Sequence, residues 1–127
     1  MNREIKFRAR NNKCWIYCDA IINGWAILNE NGGMAKINPE TIGQYTGLHD
    51  KNGKEIYEGD IVSKEVFDDT KPNYINKSYA KVVYIEELAG FYLVNKSNKI
   101  LWEVADDKYN IEVVSTIYDN PELLGGE

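Results

Sequence analysis

The chain has no apolar run near the roughly 20 residues that a membrane-spanning helix needs,. Its start, MNREIKFRAR, carries basic residues with no apolar stretch behind them, so no secretory signal and a cytoplasmic location are expected,. It has one histidine, His49, and two cysteines, Cys14 and Cys18. That is a short ligand set for a metal, and no metal or other cofactor is expected. Net positive charge is missing as well: the formal charge is −5. A net acidic chain is a poor generic binder of nucleic acid, because neutralising phosphates drives that affinity. No glycine-rich stretch ends in Lys-Ser/Thr, and none has the three-glycine spacing of a dinucleotide fold,. Ser63, Ser78, Ser97 and Ser115 stand in no nucleophile elbow,.

What is present reads as β-structure. The 127 residues fit one domain with a self-sufficient core,. Nine tyrosines, three tryptophans and three phenylalanines favour half-buried pleated surfaces,. REIKFRAR alternates strictly. Ile5, Phe7 and Ala9 face one way; Glu4, Lys6, Arg8 and Arg10 face the other, which predicts a strand with a basic outer stripe. CWIYCDAII is a second strand, joined to the first by the turn NNK,. In a strand, residues i and i+4 are about 13 Å apart, beyond the roughly 7 Å that a disulfide allows. Cys14 and Cys18 are therefore expected as free thiols, on one face with Ile16 between them and buried in the core.

GWAIL and MAKI flank NENGG, whose Asn-Gly supplies a tight hairpin turn,. NPET reads as a turn or the start of a short helical turn at Pro39,. The densest polar segment is QYTGLHDKNGKEIYEGDIV, residues 44–62. Asn52-Gly53 suits a hairpin turn or bulged loop, and Gly59 suits a sharp bend inside a strand. Glu58 and Asp60 would share a face if that strand were regular, as a carboxylate pair requires. His49 beside Asp50 is the other acid–base candidate, although neighbours in a strand point to opposite faces. After a strand to about Phe67, an exposed polar loop is expected through Ser78. KVVYIEELAGFYLVN is a hairpin turning at ELAG, ILWEV a strand, ADDKYN an acidic turn and IEVVSTIY a strand. DNPELL closes with a helical turn capped by Asn120, with Pro121 just inside,. About nine short strands with almost no helix make an all-β sandwich or barrel.

Three blocks have a familiar pattern: NREIKFRA, IGQYTGLHDKNGKEIYEGDIV and IEVVSTIYDNPELL. Together they resemble the YopX family, small proteins of bacteriophages and prophages. One departure is Arg10, which stands where the family usually has an aromatic after FRA. The resemblance implies a mostly β protein: an N-terminal hairpin region over 1–43, packed on a small SH3-like barrel over 44–127. It makes Gln44, Tyr45, Thr46, Gly47, Leu48, Asn52, Gly53, Tyr57, Glu58, Gly59 and Asp60 the hallmark, with a structural role. It supplies no catalytic residues.

Charge is uneven along the chain. The first 13 residues carry net +4 and the last 27 carry −6. Lys6, Arg8 and Arg10 are thus the candidate binding residues. Their stripe is expected to meet acids on a neighbouring strand, such as Glu112, or on another subunit. The first functional reading is a non-enzymatic protein-interaction or assembly module whose partner is a host or phage protein or a second copy. Nucleic-acid binding is the alternative, with Trp15, Tyr17 and Trp25 near the stripe, although these aromatics also read as core. An enzyme comes last.

Overall fold

The computed structural model describes residues 4–12, 14–28, 33–67, 70 and 75–125. Within them lie twelve strands, one single-turn α-helix and two 3-10 turns, so the all-β expectation holds. The chain divides into two compact units, Met1–Gly47 and Leu48–Glu127.

The first unit holds two small sheets. β1 (Phe7–Asn11) and β2 (Cys14–Cys18) form the hairpin expected at NNK, with Asn11 opposite Cys14 and Asn12 at φ 58°. β6 (Asn38–His49) lies on the other side of β1 and runs on past Gly47 into the second unit. Pro39 therefore sits near the start of a long strand, not in a helical turn. Proline is tolerated at strand starts, where one ladder donor can be spared.

CWIYCDAII is not one strand. It breaks at Asp19 into β2 and β3 (Ala20–Ile22), which belong to different sheets. β3, β4 (Trp25–Ile27) and β5 (Met34–Lys36) pair in that order. The β3–β4 turn is Asn23-Gly24, both residues at positive φ (50° and 82°). That is the type I′ signature, in a place the sequence reading left inside a strand junction. The turn assigned to NENGG lies at 29–32, outside the described residues, but β4 and β5 do pair antiparallel. The core of this unit is small: Ala9, Cys18, Ala26 and Ile37, with Phe7, Ile16 and Ile21 packed on it.

The second unit contains one five-stranded antiparallel sheet, in the order β11-β10-β9-β8-β12. β8 (Asp60–Phe67), β9 (Ile75–Ile85), β10 (Gly90–Val94) and β11 (Ile100–Glu103) form a meander. β12 (Ile111–Thr116) then returns to pair with β8. β9 already begins at Ile75, so 75–78 belongs to a strand and not to the expected loop; Val66 faces Asn76 and Lys64 faces Ser78. The rest of that predicted loop, 68–69 and 71–74, lies outside the described residues. ELAG turns through a 3-10 segment, Glu86–Leu88, with Ala89 left-handed. α1 (Val104–Asp107) opens the acidic turn. Lys64 holds it to β8: its Nζ donates to Asp107 Oδ1 at 2.8 Å and lies 4.1 Å from the centre of the Trp102 ring. The core is larger and more branched here, including Ile56, Val62, Val82, Leu93, Val104 and Ile111.

Candidate functional site

The part of the hallmark segment in the second unit is organised by two carboxylates, Asp50 and Asp60. Gln44, Tyr45, Thr46, Gly47 and Leu48 lie along β6, where Tyr45 and Thr46 are buried and Gly47 has φ 85°. The Tyr45 N–H donates to the Lys6 carbonyl at 2.8 Å. Lys6 Nζ stands 5.1 Å over the Tyr45 ring, and 3.5 Å from Glu4. The strand ends at His49, and the loop 50–54 follows.

Asp50 organises that loop. Its Oδ1 accepts the backbone N–H of Asn52 (2.8 Å) and of Lys54 (2.9 Å). Its Oδ2 accepts the N–H of Val113 on β12, 2.9 Å away. The Asp50 N–H donates to the Lys54 carbonyl, and Gly53 N–H, with Gly53 at φ 83°, to the Asp50 carbonyl. This is a turn followed by a bulge at Gly53, the bulged form of the expected alternatives. Burial alone would raise the Asp50 pKa. The three N–H donors and the Lys54 charge outweigh it and hold the pKa below the ordinary carboxylate range,. Both oxygens thus accept backbone donors, which makes Asp50 a structural anchor where the sequence raised an acid–base pair with His49. His49 itself is exposed.

The second carboxylate is Asp60. β7 (Glu55–Tyr57) ends before Glu58, and Glu58-Gly59 form a turn to β8. Gly59 is at φ 88°, so the corner is a tight turn between strands and not a bend within one,. Gly59 N–H donates to the Val82 carbonyl (3.0 Å), and its carbonyl accepts Ile117 N–H (2.8 Å). Asp60 is buried and its Oδ2 accepts the Tyr57 N–H at 2.8 Å. Because the turn intervenes, Glu58 and Asp60 are not alternate residues of one strand. Tyr57 is buried and donates its hydroxyl to Glu55 Oε1 (3.0 Å), while Asn52 is exposed.

The basic stripe is not the water-facing row that alternation predicted. Ile5 is exposed, whereas Arg8 is buried, 5% accessible. The Arg8 guanidinium carbon lies 4.4 Å from the centre of the Trp15 ring, and that of Arg10 lies 5.4 Å from it. Arg8 faces Tyr17 on β2 and Gly43 on β6; Arg10 faces Trp15 and Asn38. The cross-strand positions are thus aromatic, glycine or amide and not acidic. Glu112 faces Ser63 in the other unit. A guanidinium on an indole gains cation–π attraction and buries its methylenes. Thr41, missed by the sequence reading, completes this sheet. The β1–β6 register slips between Arg8 and Arg10, and the Arg10 N–H there donates to Thr41 Oγ1 at 2.8 Å.

The thiols also part company. Both are free, but only Cys18 is buried; Cys14 is exposed at the hairpin end. Burial pushes the Cys18 thiol up.

An unforeseen surface lies on the β3–β5 sheet. Ile21 and Ala26 are register partners, and so are Ala26 and Ala35; this row supplies the core side. The other face carries the pairs Ala20–Ile27–Met34 and Ile22–Trp25–Lys36. Here Ile22 is 56% accessible, Met34 55% and Trp25 40%. Trp25 was read as core; along with Tyr17, which is also exposed, it is not.

Among the described residues, no group of three or more His, Cys, Asp or Glu stands close enough to hold a metal ion. No helix among them is long and apolar enough to cross a membrane.

No curated protein matches the chain. Among solved structures it is similar to protein EF1440 from Enterococcus faecalis. The identity is 23% over 94% of this chain and 97% of that one, with a TM-score of 0.52, a likeness of fold. The family model described as YopX protein matches residues 3–125, nearly the whole chain. The chain belongs to the YopX family.

Proposed function

We propose that this protein is a non-enzymatic interaction or assembly module, of phage or prophage origin, acting in the cytoplasm of a bacterial host. The observation that supports it is the outward face of β3–β5. Three large apolar side chains, Ile22, Trp25 and Met34, lie on one face of a three-stranded sheet and remain substantially accessible. Contiguous exposed apolar surface of this kind marks contact sites, and Trp is enriched among the residues that anchor interfaces. The partner is another protein, of the host or the phage, or a second copy of the chain.

Nucleic-acid binding is less well supported. It needs Arg8 and Arg10 to reach phosphates, and both stand over the Trp15 ring, with Arg8 buried.

The test pairs the parent with the double variant Ile22→Glu/Met34→Glu. Capture from host lysate is carried out with and without nuclease, alongside light scattering over a concentration series. A nuclease-resistant partner, or a dimer, that the parent holds and the folded double variant loses supports the reading. Capture that nuclease abolishes, or that the double variant retains in full, overturns it.

A further inference from the structure

We infer that the second unit carries a binding pocket for a small amphiphilic anion, a carboxylate or phosphate head on a compact apolar body. The pocket has a volume of about 580 Å³, inside the range of roughly 300–1,000 Å³ typical of small-molecule sites. Four elements build it: the start of β9, the loop 95–99 between β10 and β11, β11 itself through Leu101, and the C-terminal 3-10 turn Pro121–Leu124. It lies entirely within one unit and is independent of the β3–β5 face.

Its walls are apolar. Tyr79, Leu101, Leu123 and Leu124 line it and are each half-buried. Its exposed lining residues are net cationic: Lys77 from β9 and Lys96 from the loop outweigh the one acid, Glu122. Ser97, next to Lys96 in the loop, and Ser78 on β9 also line the pocket. Two ammonium groups suit an oxyanion, while the walls suit an apolar body. The acid among the lining residues, Glu122, accepts the Asn120 side-chain amide at 3.0 Å.

The loop is set in place before any ligand arrives. Asn95 Oδ1 accepts the N–H of Ser97 and of Lys99, each at 2.9 Å. Asn95 N–H donates to the Lys99 carbonyl at 3.0 Å, and Asn98 N–H to the Asn95 carbonyl at 2.9 Å. Lys96 and Ser97 are therefore carried on a braced backbone, which lowers the ordering cost of binding. The opposite wall is held too, because the Leu123 N–H donates to the Asn120 carbonyl and Gly125 N–H to the Glu122 carbonyl.

The experiment is an amide-resolved NMR titration of the full chain with octanoate, octyl phosphate, octanol and octylammonium. Octanoate or octyl phosphate should shift the amides of Ser97, Leu101 and Leu123 saturably, and the stronger of the two identifies the head group. The variant Lys77→Gln/Lys96→Gln, whose sites are exposed and whose fold the same spectra verify, should bind about tenfold more weakly, an effect of the size two partly solvated charge contacts supply. Octylammonium should bind no better than octanol. The inference is overturned if octanol matches the anions, if the double variant retains parental affinity, if the shifts map elsewhere, or if neither anion binds.

Discussion

Loops 50–54 and 95–99 close their hairpins with the same hydrogen bonds, yet one is fastened to a distant strand through a buried carboxylate and the other is an open rim. In DKNGK, Asp50 Oδ1 takes two N–H groups and Gly53 holds the left-handed position. In NKSNK, Asn95 Oδ1 takes two N–H groups and Asn98, at φ 66°, holds that position. The difference is the second polar atom. Asp50 Oδ2 reaches Val113 on β12, and Lys51 N–H donates to the Ile111 carbonyl of the same strand. An asparagine at 50 would offer one oxygen and point its NH2 at the N–H on the other side. Asn95, with its loop facing solvent, needs one acceptor only. Identical local chemistry therefore serves two purposes, and the long-range contact decides which.

The largest expected effect comes from removing the fastening. Asp50→Ala leaves three backbone N–H groups without their acceptor, one of them on a sheet strand, and should cost about 2–4 kcal/mol in urea melts. Asp50→Asn keeps one oxygen and should cost about half as much. If Asn95→Ala proved as costly as Asp50→Ala, the contrast between the loops would fail.

The same contrast has a pH signature. The Asp50 pKa is lower in the folded chain than its ordinary value near 3.9,. Its contribution to stability is complete above about pH 4 and is lost as pH falls through the lowered native value. Stability measured from pH 5 down to pH 2 should drop less steeply in Asp50→Asn than in the parent. Parallel profiles would remove the charge from the explanation.

A glycine at a corner tests backbone in place of side chain. Gly59→Val forces a β-branched residue to φ 88° and should destabilise by about 1–3 kcal/mol,. An unchanged urea midpoint would mean the turn re-forms without strain. At the exposed loop the effects shrink. Asn95→Ala should cost about 0.5–1 kcal/mol, since water can replace its acceptor. Asn98→Gly should gain a few tenths of a kcal/mol by relieving the left-handed strain.

The smallest perturbation only reports. With a thiol reagent, one cysteine, Cys14, should react in the native protein, and Cys18 only on unfolding. Two fast thiols would mean that the Cys18 core is open.

Several elements were readable because their cause is local. The loop at Asn52-Gly53, the hairpin at NNK, the turn at ELAG and the 3-10 turn after Asn120 need only a few consecutive residues. One detail there differs: Asn120 makes no side-chain cap bond, and its amide bonds Glu122 instead. NKSNK escaped notice because asparagine replaces the glycine that signals the bulge in DKNGK. Arg8 was misplaced because alternation assigns a side chain to a face but says nothing of what covers that face. Trp15, on the neighbouring strand, stacks on it. The apolar face of β3–β5 escaped because Trp25 read as core, while Ile22 and Met34 stood in short apolar runs to which no face was assigned. Only the register puts all three on the side away from Ala26.

By itself, then, the sequence determined the β character, several of the turns, the free thiols and the family, since each rests on residues adjacent in the chain or on a pattern along it. The tertiary structure alone decided that Asp50 is an anchor, that Arg8 is buried, that Cys14 is not, and that a pocket forms beside NKSNK. These depend on contacts such as that of Asp50 with Val113, 63 residues away. Such a contact leaves no periodic trace, because its partner is a backbone N–H that every residue except proline carries.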